Sequence, residues 1–142
     1  MRLVPAIVVM TAGLAACGMP NLQGDAERAG DAAALYADLT EGRDEALMAR
    51  LSSGNDPAEV RAQLPMLRQF APAGPPPEPK TVGWRANTGT GGQRYSLAQE
   101  YDYPDRLVRL DTFFLKEDGA WKVEGFNVNA RMKPSAAEAP AG

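Results

Sequence analysis

The residues whose types and spacing could do chemistry are Tyr101, Arg109 and Asp111. Arg109 and Asp111 stand two apart in an apolar run, Leu107 to Leu115, and residues two apart on a strand share a face. That face also carries Leu107, Phe113 and Leu115. Packed beneath helices, it would place the charge pair where a polar ligand could be held, with Tyr101 beside it. Acid chemistry by Asp111 needs a carboxyl that keeps its proton near neutrality, whereas Arg109 on the same face favours the charged form. The pair suits holding a ligand or bracing the sheet better than moving protons. The competing reading leaves both charges on a wet part of the sheet. It is the weightier one, because charged side chains are rarely buried deeply.

What the chain lacks narrows the chemistry further. It has no His, which removes most zinc sites, Ser-His and Cys-His nucleophile pairs, and any imidazole base. Its single cysteine is Cys17. No metal site or cofactor is implied. The run Gly89-Thr90-Gly91-Gly92 lacks the Lys-Ser/Thr of a phosphate cradle and has strand-like segments on both sides, so it reads as a hairpin loop.

The elements that would position these residues fall into two blocks. Ala32, Leu35, Tyr36 and Leu39 recur at helical spacing from Asp25 onward, and Gly42 suits the helix stop. A short second helix, about Asp44 to Ser52, offers Leu47 and Leu51. Asp56-Pro57-Ala58-Glu59 is a helix start with a capping residue, a first-turn proline and a reach-back glutamate. Val60, Leu64 and Leu67 should be its buried face, and Pro65 should kink or end it. After the proline-rich connector from Ala71 to Pro79, the pattern is strand-like. Val82 and Trp84 alternate, and Asn87 to Gly92 supplies a loop. Tyr95, Leu97, Tyr101 and Tyr103 share a parity, and Leu107 to Leu115 follows. Glu117-Asp118-Gly119 turns the chain into Trp121 to Asn129. Trp121 is expected as a core anchor opposite Leu115. The phase slips around Gly125, between Val123 and Phe126, which predicts a bulge. The other parity, Val108, Leu110 and Phe114 with Phe126 and Val128, is apolar too. It reads either as a partner surface or as the mark of a curved sheet covered on both sides.

Helices first and an antiparallel meander second predict an α+β domain, with N-terminal helices packed on one face of a curved sheet. The order of elements and the hairpin Asp118-Gly119-Ala120-Trp121-Lys122-Val123 resemble NTF2-like (cystatin-like) small domains, as does the spacing of Leu39, Gly42 and Leu47. The resemblance covers residues 25–131 and implies that fold. It implies no one activity, since the family includes enzymes, binding domains and scaffolds. Catalytic members usually rely on His, absent here.

At the N-terminus Arg2 precedes an apolar run, and no acid appears before Asp25, the pattern of an export signal. The run is too short for a membrane span, which needs about 20 apolar residues. Leu14-Ala15-Ala16-Cys17 resembles the lipobox of bacterial lipoproteins. That resemblance implies cleavage of a signal peptide at residues 1–16, and a membrane anchor of fatty acyl chains, palmitate among them, on Cys17. Gly18 stands where many inner-membrane lipoproteins carry Asp, which implies the periplasmic face of the outer membrane. Residues 17–24 would then be a tether, residues 25–131 the domain and residues 132–142 a disordered tail.

Charge excludes one class of partner. The chain carries 15 Lys+Arg against 18 Asp+Glu; removing residues 1–16 takes away only Arg2, so the net charge passes from −3 to −4. Nucleic acid calls for a basic face, and anionic headgroups would gain nothing from this balance. The expectation is an envelope lipoprotein, anchored to the membrane through Cys17, acting as a non-enzymatic accessory or binding module for an envelope protein or an unnamed ligand. The alternatives are a pocket enzyme using carboxylate and tyrosine chemistry, and a structural subunit of an envelope complex.

Overall fold

The computed structural model describes residues 25–134. The expected signal, Cys17, the tether and the tail beyond Pro134 lie outside the described residues. Three helices, α1 (Ala26–Thr40), α2 (Asp44–Ala49) and α3 (Pro57–Leu67), precede four strands. The strands are β1 (Lys80–Gly89), β2 (Gly92–Asp102), β3 (Arg106–Glu117) and β4 (Ala120–Met132), paired antiparallel in the order β1-β2-β3-β4. The chain is therefore α+β with a meander sheet. No helix among the described residues is long and apolar enough to cross a membrane.

Local chemistry accounts for the helix ends. The Asp25 carboxylate accepts from the Glu27 and Arg28 amides at the start of α1, satisfying donors that have no partner inside the helix. At its end Gly42 takes φ +73°, and the amides of Gly42 and Arg43 donate back to the Leu39 and Asp38 carbonyls. This left-handed stop is open mainly to glycine. Asp56 caps α3 through the Ala58 amide, with Pro57 in the first turn. No bond from Glu59 completes a capping box among the described contacts. Pro65 does not end α3, which runs on to Leu67. The carbonyl Pro65 leaves without a donor belongs to exposed Arg61, where water can serve it.

The helices cover one face of the sheet. Ala32, Leu35, Tyr36 and Leu39 of α1, Leu47 of α2 and Leu64 of α3 meet Leu97, Tyr101, Val108, Leu110, Phe114, Val123 and Val128 in one core. Val60 and Leu67 are only partly buried against it. α1 runs in the same direction as β2: the Asp25 amide donates to the Tyr95 hydroxyl (2.8 Å), Gln99 Nε2 to the Ala29 carbonyl (3.1 Å), and Tyr36 bonds Tyr103 (2.9 Å). The molecule thus has two ends. Asp25 lies at one, with the two hairpin turns of the sheet. The β2–β3 turn and the end of β4 lie at the other, where the Lys133 amide donates to the Asp105 carbonyl. Met132 still belongs to β4, so the hydrogen-bonded chain passes the expected boundary at Arg131.

The turns and bulges are specific. Asp118 (φ +50°) and Gly119 (φ +80°) close the β3–β4 hairpin, a two-residue turn whose twist matches that of the strands. The β1–β2 loop is shorter than expected: β1 continues to Gly89, opposite Gly92, leaving only Thr90 and Gly91 to turn. The expected bulge is present, since Phe113 pairs with Gly125 and Phe114 with Val123, leaving Glu124 over. A second lies in β1 between Thr81 and Gly83. Beside the first, residues Arg50–Ser52 add to the β4 edge: the Ser52 amide donates to the Val123 carbonyl and the Val123 amide to that of Arg50, both at 2.8 Å. That covers part of an edge otherwise open to strand addition.

Candidate functional site

The sheet separates the three residues singled out above. Tyr101 lies beneath α1, fully buried, its ring stacked on Tyr36 with centroids 3.9 Å apart. Burial pushes the phenols of Tyr36 and Tyr101 far above their ordinary range, with the Tyr103 hydrogen bond adding to the effect at Tyr36. Arg109 and Asp111 point the other way. Strand β3 buries Val108, Leu110, Thr112 and Phe114 and turns Leu107, Arg109, Asp111 and Phe113 outward. The parity of the charge pair is therefore the outer one, in keeping with the weightier reading of Arg109 and Asp111 as solvated. The alternate parity, weighed as a partner surface, is the core itself and is covered by helices.

On the outer face the charges answer one another. Arg109 Nε donates to Asp111 Oδ1 at 3.1 Å, a bond that holds the Arg109 guanidinium charged. Across the strands Lys80 is paired with Glu100, and Glu100 with Arg109, so opposite charges face each other along one row. Ala98 and Ser96 lie beside Asp111 and Phe113, lining a shallow groove of about 260 Å³. A larger depression of about 720 Å³ opens towards the end of β4, between Glu78, Lys80, Glu100, Asp102 and Arg131. This mixed-sign surface can bind polar groups, and it faces solvent.

Other polar side chains, at positions whose spacing gives no warning, hold the domain together. Asp38 is buried in the last turn of α1 and accepts from Arg43 Nε and Arg50 Nε, both at 2.8 Å. That carboxylate ties both ends of α2 to α1. Ser53 donates its amide to Glu117 (3.0 Å) and its hydroxyl to the same carboxylate (2.5 Å), which holds the Glu117 carboxyl below its ordinary range. Arg28 lies buried, bridged to Asp31 at 3.2 Å, with its guanidinium 5.4 Å from the Trp121 ring. Trp121 itself is half-buried and paired with Lys116 rather than Leu115, so it roofs the core margin and does not anchor it. No group of three or more His, Cys, Asp or Glu that could hold a metal ion occurs among the described residues.

Compared with protein-family models, with curated proteins and with solved structures, the chain matches none.

The Tyr101 hydroxyl is buried and has no hydrogen-bond partner among the described residues. A buried hydroxyl without a partner costs stability that its removal returns. Tyr101→Phe, which keeps the stack on Tyr36, should therefore raise stability by about 1 kcal/mol in denaturant titration. A loss of that size would show that the hydroxyl holds something in the folded protein.

Proposed function

We propose that this chain is a lipid-anchored accessory module of the cell envelope, built on an NTF2-like domain and working by binding rather than by catalysis. The observation that carries this reading is the separation of Tyr101 from Arg109 and Asp111 by the thickness of the sheet. The phenol packs against Tyr36 and the two charges pair in solvent, so these three residues do not converge on one site among the described residues. Helices followed by a meander, closed by the Asp118-Gly119 turn, support the choice of family. The anchor rests on Leu14-Ala15-Ala16-Cys17 behind an apolar run. Several acyl chains hold a protein firmly, since each buried methylene contributes ~0.8 kcal/mol.

The test is the anchor. The wild-type chain should take up a fatty-acid analogue in cells and sediment with membranes. Cys17→Ser should take up none, and should either keep its signal uncut or appear in the soluble fraction. Equal labelling of the two would overturn the lipoprotein reading.

A further inference from the structure

One strip of the surface lies beside the point where the chain would leave for its anchor. The Asp25 amide is bonded to the Tyr95 hydroxyl, and the Tyr95 ring is stacked on Trp84, centroids 5.9 Å apart and planes 12° apart. Trp84 is 42% exposed, unusual for the largest apolar side chain when so much core is on offer. Through the β1–β2 register, Trp84, Ala86 and Thr88 stand opposite Leu97, Tyr95 and Gln93. All three face the helix side of the sheet, yet all are exposed, because none of the helices among the described residues covers this part of β1. The strip carries no charge; Lys80 and Arg85 fall on the other parity. Placing it against a headgroup layer strips water from no ion.

Chain length decides what meets this strip. From Cys17 to Asp25 the backbone can extend at most about 30 Å, at 3.3–3.6 Å per residue. A 13-residue strand such as β4 is itself about 40 Å long. A lipid on Cys17 therefore holds the Asp25 end nearest the anchor, with the β2–β3 turn a further strand length away along the molecule. Tryptophan is the residue best suited to the water–hydrocarbon boundary, with an apolar body and one N–H donor.

We propose that Trp84 is a second, interfacial contact with the membrane: with Cys17 acylated, the strip Trp84, Ala86 and Thr88 rests on the headgroups of a zwitterionic bilayer. The inference deepens the lipoprotein reading and rests on it. Trp84, Ala86 and Thr88 include no basic side chain, so anionic lipid adds nothing and the contact is insensitive to salt. One indole is too weak to bind by itself. It acts because the tether holds it at high effective concentration near the surface.

Cys17, the single cysteine, allows the contact to be measured without cellular lipidation. The mature chain from Cys17 is coupled through its thiol to a maleimide lipid in phosphatidylcholine vesicles, as wild type and as Trp84→Phe. The difference between their emission spectra is the signal of Trp84, so Trp121 need not be changed. Trp84 emission should shift to the blue on coupling, become quenchable by lipid brominated near the headgroup, and lose access to aqueous iodide. High salt should leave all three unchanged, and uncoupled protein mixed with the same vesicles should show none of them. Iodide access equal in coupled and uncoupled protein would overturn the contact, and a response abolished by salt would overturn its zwitterionic character. Because the tether is supplied chemically, that failure is distinct from a failure of fatty-acid labelling in cells, which would remove the anchor itself.

Discussion

Phe114→Ala should destabilise the domain by about 3–5 kcal/mol, the usual cost of emptying an aromatic site in a packed core. Phe113→Ala, one residue away, should change stability by less than about 1 kcal/mol, as exposed positions do. Phe114 is 1% exposed, paired with Tyr95 and Val123 beneath the helices; Phe113 is 41% exposed on the outer face. For a domain whose whole stability is about 5–15 kcal/mol, the first substitution threatens folding. Chemical denaturation of both variants measures the contrast. Equal losses would mean that both faces of β3 are covered.

Above pH 10 the domain should lose stability steeply. In the unfolded chain a tyrosine ionises near pH 10. Burial raises Tyr36 and Tyr101 well above that value, and Tyr103 in the same direction. A group whose folded value is raised favours the protonated fold. Its contribution is intact below the unfolded pKa and is lost as pH climbs from there towards the folded value. Each such phenol removes up to about 1.4 kcal/mol per pH unit above ~10. Tyrosinate absorbance should therefore appear together with loss of the circular dichroism signal, and Tyr36→Phe should move that midpoint upward. Phenols of these residues titrating near pH 10 in a folded protein would contradict the packing around the Tyr36–Tyr101 stack.

Much of the architecture was legible because it depends on short-range rules. The stripe Ala32, Leu35, Tyr36 and Leu39, the Gly42 stop, the Asp56-Pro57 start and the Asp118-Gly119 turn each follow from a few neighbouring residues. So does the bulge, since Val123, Phe126 and Val128 can share a face only if one residue is extra. The facing of β3 was harder, because Leu107, Phe113 and Leu115 on one parity rival Val108, Leu110 and Phe114 on the other. The deciding feature is that Arg109 and Asp111 share a parity, and two charges on one face mark the wet one. Once β3 is turned, Tyr101 and the charge pair part company, and the candidate pocket dissolves. The Asp38 clamp was out of reach: its partners come five and twelve residues later, across a helix stop whose direction local pattern does not give. That α3 runs two residues past Pro65 was out of reach for a complementary reason, since the cost of the proline depends on whether the freed carbonyl meets water.

The placement of the two ends also bears on how the protein would carry a load. The described chain begins beside the hairpin turns, at Asp25, and leaves at the opposite end of β4. A pull between a fixed membrane point and anything gripping the C-terminal side would run along the strands. The β3–β4 ladder, from Arg106–Met132 to Glu117–Ala120, would then be strained in shear, all its bonds sharing the force, instead of unzipping one at a time. Survival under a pull is governed by the unfolding rate rather than by equilibrium stability. A domain of modest stability could in this way serve as a stiff mechanical link.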